Sequence, residues 1–449
     1  MGFILAAAGS AVGLGNIWRF PYLAAKYGGG MFLLVYLILA VTFGFSLMVT
    51  EIAIGRKTGK SPLYAYGALN KRFKLLGLLS SAVPIIIFPY YCVIGGWVTK
   101  YLTVYIAGQG ADAAVSTIKD AQGNVTTLGY FDGFVSDTWT PLIFFAIFII
   151  LTAVVVMLGV QNGIERISKI MMPVLIVLSI GLSIYSLTLP GAMDGFLYYI
   201  TPNFENFSFE TVIAAMGQLF YSMSLAMGIM ITYGSYMRKD DNIEKSTRYI
   251  EIFDTGIAFF AGMMIIPAVF AFQGGDRSAL QAGPSLMFVT LPKVFNSFPG
   301  GNILGLAFFL LVLFAALTSA ISLMETIVSI VMEKTGWGRI KVSIIVLIMA
   351  VIIGVPSSLG FGVLSGITPL GKDILSFFDY ISNNIMMPIV ALLTAILVGY
   401  VVKPQAIIDE VEQNGQKFKV KKLYIVMIKF IVPVCMLLIL IAPFFGLGQ

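Results

Sequence analysis

Gly9-Ser10-Ala11-Val12-Gly13-Leu14-Gly15-Asn16, followed by Ile17-Trp18-Arg19-Phe20-Pro21, is the stretch on which the reading of the whole chain turns. An apolar segment of membrane-spanning length with glycines near its centre is poorly built as a continuous helix, because each interior Gly costs ~1 kcal/mol relative to Ala. The stretch therefore predicts a broken helix. In a bilayer, backbone groups freed by a break must be buried in protein or line a polar cavity. Freed carbonyls suit a small cation, and the N-terminus of the second half suits a carboxylate. Residue types alone leave a second reading open, in which the glycines only let helices pack closely.

The 449 residues are 58% hydrophobic and 11% charged, too few polar groups to coat a soluble domain. Apolar stretches of spanning length run at 3–24, 31–55, 76–107, 140–160, 167–189, 210–237, 250–273, 302–332, 342–358, 374–402 and 424–446, numbered segments 1 to 11 in chain order. The chain opens directly into segment 1, so no removable signal peptide is expected. Basic residues set the orientation. Arg56, Lys57, Lys60, Lys71, Arg72 and Lys74, then Arg166 and Lys169, Arg238, Lys239, Lys245 and Arg248, Lys334, Arg339 and Lys341, and Lys403, Lys417, Lys419, Lys421 and Lys422 all fall on one side. The opposite loops hold Lys26, Lys100, Lys119, Arg277, Lys293 and Lys372. The expected protein has a cytoplasmic N-terminus and an extracellular C-terminus, and its +6 charge reports topology, not a nucleic-acid partner. Cys92 and Cys435 fall inside spans and imply no disulfide or metal framework, and the absence of histidine removes the commonest metal ligand. The sequons at Asn124 and Asn206 lie in outward loops and carry little weight.

Within the spans, polar residues mark where chemistry is expected. Glu51, near the inner end of segment 2, should face the bundle interior. It reads as an anchor for unwound backbone, or as a helix-end carboxylate near Arg56. Gly163 and Pro173 at the start of segment 5 either permit local unwinding or simply begin the helix. Residues 109–139 form the longest outer loop, a lid-like segment that includes Asp120, and 275–300, with Gly283-Pro284, looks like a re-entrant outer cap. Segment 6 carries Gln218-Leu219-Phe220-Tyr221-Ser222-Met223-Ser224-Leu225-Ala226-Met227-Gly228, a second interruption. Segments 1 and 6 open two five-segment sets, and paired interruptions at corresponding positions point to a transport site. Segment 7 adds Asp254 and segment 8 adds Thr318-Ser319 after Ala315.

These residues resemble the neurotransmitter:sodium symporters over essentially the whole chain, and in particular the bacterial amino-acid members of the leucine and multi-hydrophobic amino-acid types. The marks are Ala11 to Asn16 with Arg19-Phe20-Pro21, the Gln218 to Gly228 stretch, Ser235-Tyr236-Met237-Arg238-Lys239-Asp240 and Leu317-Thr318-Ser319. The resemblance implies an all-α polytopic membrane protein of eleven transmembrane helices in the leucine-transporter fold. Residues 1–189 and 210–402 would be inverted five-helix repeats with broken helices 1 and 6, and 424–446 an additional helix.

The resemblance also assigns sites. One sodium would sit on Gly9, Val12, Ala315, Thr318 and Ser319, and another on Ala11, Asn16, Ser222 and Asp254 with the substrate carboxylate. The substrate pocket would be lined by Ala11, Gly13, Gly15, Ile87, Tyr91, Tyr221, Ser222, Ser224, Ala226, Met227, Ser319 and Leu323, with no charged side chain facing the ligand's side chain, so a neutral, apolar L-amino acid is expected. Ala226 stands where bacterial relatives usually have Gly, which predicts a somewhat smaller pocket. The family's chloride site uses a helix-2 Tyr, a helix-6 Gln and Ser, and a helix-7 Ser. Here Tyr36, Gln218 and Ser222 remain, the last position is Ala258, and Asp254 stands where many members have Asn. A carboxylate there would supply the charge that chloride supplies elsewhere, so chloride independence is expected, with proton antiport on the return step as a further hypothesis. Arg19 and Asp379 would close an outer gate, and Tyr236 and Glu333 an inner one; its N-terminal arginine partner is absent, so either the sequence begins downstream of that arginine or the inner gate differs. Glu325 has no implied role.

With no His, no Cys pair and no phosphate-binding loop, an enzyme or ATP-driven pump is not expected. The alternatives to a sodium-coupled importer in a bacterial plasma membrane are a non-transporting amino-acid sensor on the same fold or a sodium-gated channel. The preferred amino acid and the oligomeric state do not follow from these residues.

Overall fold

The computed structural model describes residues 2–119, 125–273 and 284–442. The expectations placed on Asp120, Asn124, Arg277, residues 275–283 of the outer cap and the last residues of segment 11 lie outside these.

Among the described residues, nine helices are long and apolar enough to cross a membrane. The two segments not among them are 1 and 6, because each is broken. Segment 1 runs as Gly2–Ala11, opens at Val12 and Gly13, and resumes in a π-helical turn at Gly15–Arg19 and an α-helix at Phe20–Lys26. Segment 6 runs as Phe209–Ser222, leaves helical geometry, and resumes at Ile229–Tyr236. Within this second break Ser224, Ala226 and Gly228 all take positive φ (52°, 59° and 73°), a region that costs an L-residue roughly 1–2 kcal/mol. Two of the three are not glycine, so the surroundings must enforce the conformation.

Several continuous helices begin before their apolar cores. Segment 7 spans Ile243–Gln273 because Asn242 caps it, its side chain accepting from the Lys245 N–H at 2.8 Å. Such caps are polar and escape a hydropathy reading. Segment 3, Lys74–Ile106, retains Pro84 and Pro89 inside one helix. The outer loop after it departs from an all-helical expectation: Ile118–Lys119 pairs antiparallel with Val125–Thr127, flanked by short helices Gly110–Ala113 and Tyr130–Ser136. In the expected outer cap, the described part is a buried π-helical turn, Leu286–Thr290, leading into helix Leu291–Asn296.

Packing places the breaks at the centre. The first half of segment 1 lies against segments 5, 7 and 8, and the second half of segment 6 against segment 2. Isoleucines 143, 147 and 150 with Val154 leave segment 4 with an exposed apolar face, as do Ile344, Ile348 and Ile352 on segment 9. Such surface is stable only against lipid, so the protein is integral to a membrane. Inside, Asn16, Glu51, Gln218, Asp254 and Glu325 are completely buried. Buried polar groups of this kind persist only when they are partnered, and their partners trace the site.

Candidate substrate and ion site

Asp254, on segment 7, is held from three other segments. Its Oδ1 accepts from Asn16 Nδ2 at 2.7 Å and from the Ser222 hydroxyl at 2.8 Å, and its Oδ2 accepts from the Tyr36 hydroxyl at 3.4 Å. Asn16 in turn donates to Ser222 Oγ (2.8 Å) and accepts from the Gly13 N–H (2.9 Å), which fixes the lip of the first break. Gln218 donates to the Gly15 carbonyl at 2.9 Å. Segments 1, 2, 6 and 7 thus converge on one carboxylate.

A second convergence joins segments 1 and 8. Ser319 donates to the carbonyls of Ser10 (3.0 Å) and Val12 (3.2 Å), and Thr318 donates to those of Phe314 (2.9 Å) and Ala315 (3.1 Å) within its own helix. Gly9 lies against Thr318 so closely that an added Cβ would come 3.2 Å from Thr318 Cβ. Val12, Ala315, Thr318 and Ser319 thus share a cluster of oxygen atoms against which Gly9 is packed, and oxygen ligands are what a hard cation requires.

Between the two clusters lies a cavity lined by Ala11, Gly13, Gly15, Ile87, Tyr91, Tyr221, Ser222, Ser224, Met227, Ser319 and Leu323, together with Ser10, Leu14 and Ile229. None of these side chains is charged. The Tyr91 hydroxyl accepts from the Leu14 N–H at 3.4 Å, so a phenol and the start of the second half-helix share one end of the cavity. Ser224 donates to the Ser10 carbonyl at 3.0 Å and links the two breaks directly. Ser10, Leu14 and Ile229 carry no sequence signal of their own, because a small polar or aliphatic residue beside a break has no distinctive pattern. Ala226, by contrast, does not line the cavity. Its N–H donates to Glu51 Oε1 at 2.7 Å, and its methyl sits on a left-handed backbone. Alanine there costs conformational energy and does not take pocket volume.

The profile of the sodium:neurotransmitter symporter family matches residues 1–111 and 135–447. The chain belongs to that family. It is 34% identical over 444 residues to a sodium-dependent transporter of Bacillus subtilis, covering 98% of this chain and 95% of that one. A sodium-dependent transporter of Haemophilus influenzae is 34% identical over 454 residues, with 99% and 96% covered. The crystal structure of MhsT in complex with L-phenylalanine superposes with a TM-score of 0.85 at 38% identity, covering 100% of this chain and 98% of that one. This family member is a sodium-dependent transporter, not an enzyme.

The four residues expected at the gates have partners other than the expected ones. Arg19 and Asp379 form no ion pair. The Arg19 guanidinium lies over the Tyr221 ring, 5.5 Å from its centroid, while Asp379 Oδ1 accepts from Tyr90 (3.2 Å) and Asn383 (2.6 Å). Arg19, Tyr221 and Asn383 line a separate cavity. On the other side, Tyr236 does not pair with Glu333. Its hydroxyl donates to Glu325 Oε1 at 2.7 Å, and Glu325 takes both guanidinium nitrogens of Arg339 at 2.5 and 3.0 Å. Glu333 instead accepts from the Ser61 N–H at 2.7 Å. The reason is depth: Glu325 is completely buried two turns inside Glu333, and a carboxylate so placed needs both a cation and a hydroxyl.

Proposed function

We propose that this symporter imports a neutral, apolar L-amino acid together with sodium by alternating access, without chloride. The observation that carries the reading is the meeting of two helix breaks over a cavity with no charged lining side chain, flanked by two clusters of oxygen atoms. Ile87, Met227, Ile229 and Leu323 supply an apolar wall, and a relative of the same fold binds L-phenylalanine. The Tyr91 hydroxyl and the backbone N–H groups from Leu14 onward would hold the substrate carboxylate. Carbonyls of the second break and Ser224 would take the ammonium.

One sodium would use Gly9, Val12, Ala315, Thr318 and Ser319. The other would use Ala11, Asn16, Ser222 and Asp254, with ion contacts to their oxygens replacing the hydrogen bonds that Asn16 and Ser222 now donate to the carboxylate. With the substrate carboxylate as a further ligand, amino acid and ion each bind better when the other is present. Each sodium entering at ~100 mV contributes about 2.3 kcal/mol, and a roughly tenfold gradient adds about 1.4 kcal/mol. Chloride is dispensable in this reading because the Asp254 carboxylate accepts from Tyr36 and Ser222, two residues that form the anion site in chloride-dependent relatives.

Eleven crossings arranged as inverted repeats 1–189 and 210–402 plus a last helix, with the N-terminus cytoplasmic and the C-terminus outside, complete the proposal. Uptake of a panel of labelled amino acids into proteoliposomes tests it. Accumulation should require an inward sodium gradient, favour apolar side chains and persist when gluconate replaces chloride. Binding without accumulation would overturn transport in favour of a sensor, and loss of uptake in gluconate would overturn chloride independence.

A further inference from the structure

Helix Lys421–Ile441, segment 11, is the least buried of the nine apolar helices, with 22% of its apolar window inside the protein. Lys422, Val426, Phe430, Val434, Leu437 and Ile441 are all exposed and follow one another at intervals of three or four residues, forming a single stripe along the helix. The apolar part of that stripe faces lipid, and Lys422 stands where it meets water. Lys429 follows Lys422 by seven residues, two turns along the same side and ~12 Å from the helix start. It is half-buried and has no carboxylate partner among the described residues. A cation at that depth on a lipid-facing helix is costly unless its long side chain reaches an anion at the headgroup level.

The surroundings reinforce the positive charge. Lys417 and Lys419 are exposed just before the helix; of the nearby acids, Glu410 is engaged by Arg56 and Lys239 and Glu412 by Lys421, while Asp409 accepts from the Gln405 amide and Asp240 from the Asn414 amide. The lysines are also held in place. The Lys419 N–H donates to Glu244 at 2.8 Å, and the Phe418 ring, buried between the two lysines, packs 5.3 Å from Tyr424.

We infer that Lys422 and Lys429, with Lys417 and Lys419 at the rim, bind the phosphate headgroup of an anionic phospholipid whose acyl chains lie along Val426, Phe430 and Val434. A second copy of the chain related by two-fold symmetry would bring a like-charged stripe against this one, which disfavours that occupant.

The full chain in neutral detergent, titrated with fluorescently labelled phosphatidylglycerol and with the matching phosphatidylcholine, tests the site. Phosphatidylglycerol should bind at least about tenfold more tightly, and the pair Lys422→Gln and Lys429→Gln should lose about 25-fold, roughly fivefold per lysine. Lys422→Arg with Lys429→Arg should retain binding, which separates loss of the site from loss of the fold. The exposed pair Lys57→Gln and Lys60→Gln, elsewhere on the same side, should change binding less than twofold. Equal affinity for the two lipids, equal losses in the two glutamine pairs, or a dimer by light scattering that the Lys422 and Lys429 substitutions dissociate would each overturn the inference.

Discussion

Asn16 and Asp254, 238 positions apart, share a 2.7 Å hydrogen bond at the buried centre of the protein. That bond ties the lip of the first helix break to segment 7, and Ser222 closes the triangle from the second break. Asn16→Ala removes the shared corner. It should weaken sodium and amino-acid binding together, by tenfold or more, since a hydrogen bond to a charged group is worth roughly 1.5–3 kcal/mol. Titrating labelled amino acid over a series of sodium concentrations checks this, and an unchanged sodium dependence would contradict the assignment.

Asp254→Asn keeps the shape of the side chain and removes its charge. Uptake in chloride-free medium should fall sharply and recover at least in part when chloride is supplied. Full uptake by the variant in gluconate would show that the carboxylate does not stand in for an anion.

Glu325 depends on Arg339 and Tyr236 for its burial. Arg339→Ala strands the carboxylate and should cost about 3–5 kcal/mol of stability, whereas pairing it with Glu325→Met should recover much of the loss. Thermal unfolding of the single and double variants in detergent measures both. Equal melting temperatures for wild type and Arg339→Ala would mean that the pair contributes nothing to the fold.

Ala226→Gly relieves a left-handed backbone and should raise stability by about 1 kcal/mol while leaving the ranking of substrates by size unchanged. A shift toward bulkier amino acids would instead place the methyl in the pocket.

Much of this protein was legible in its sequence because a bilayer imposes severe rules on composition. Apolar runs of spanning length, and glycine or polar interruptions in two of them, mark the segments and the broken pair, since only a protein interior can shelter freed backbone. Asn16, Ser222 and Asp254 stand out as polar residues within apolar spans, and each proves to be partnered by the others. Segment ends were less legible, because caps such as Asn242 are polar and resemble loop.

What only the tertiary structure decided is which of these residues face one another. Tyr236 reaches Glu325 and not Glu333, and Arg19 stacks on Tyr221 while Asp379 takes Tyr90 and Asn383. Ala226 turns its N–H to Glu51 and leaves the cavity to Ser10 and Ile229. Sequence by itself determined where polar groups enter the membrane, because burial is costly wherever it occurs. Pairing depends on distances of about 3 Å between atoms carried by different helices, and those distances are set by how the helices pack.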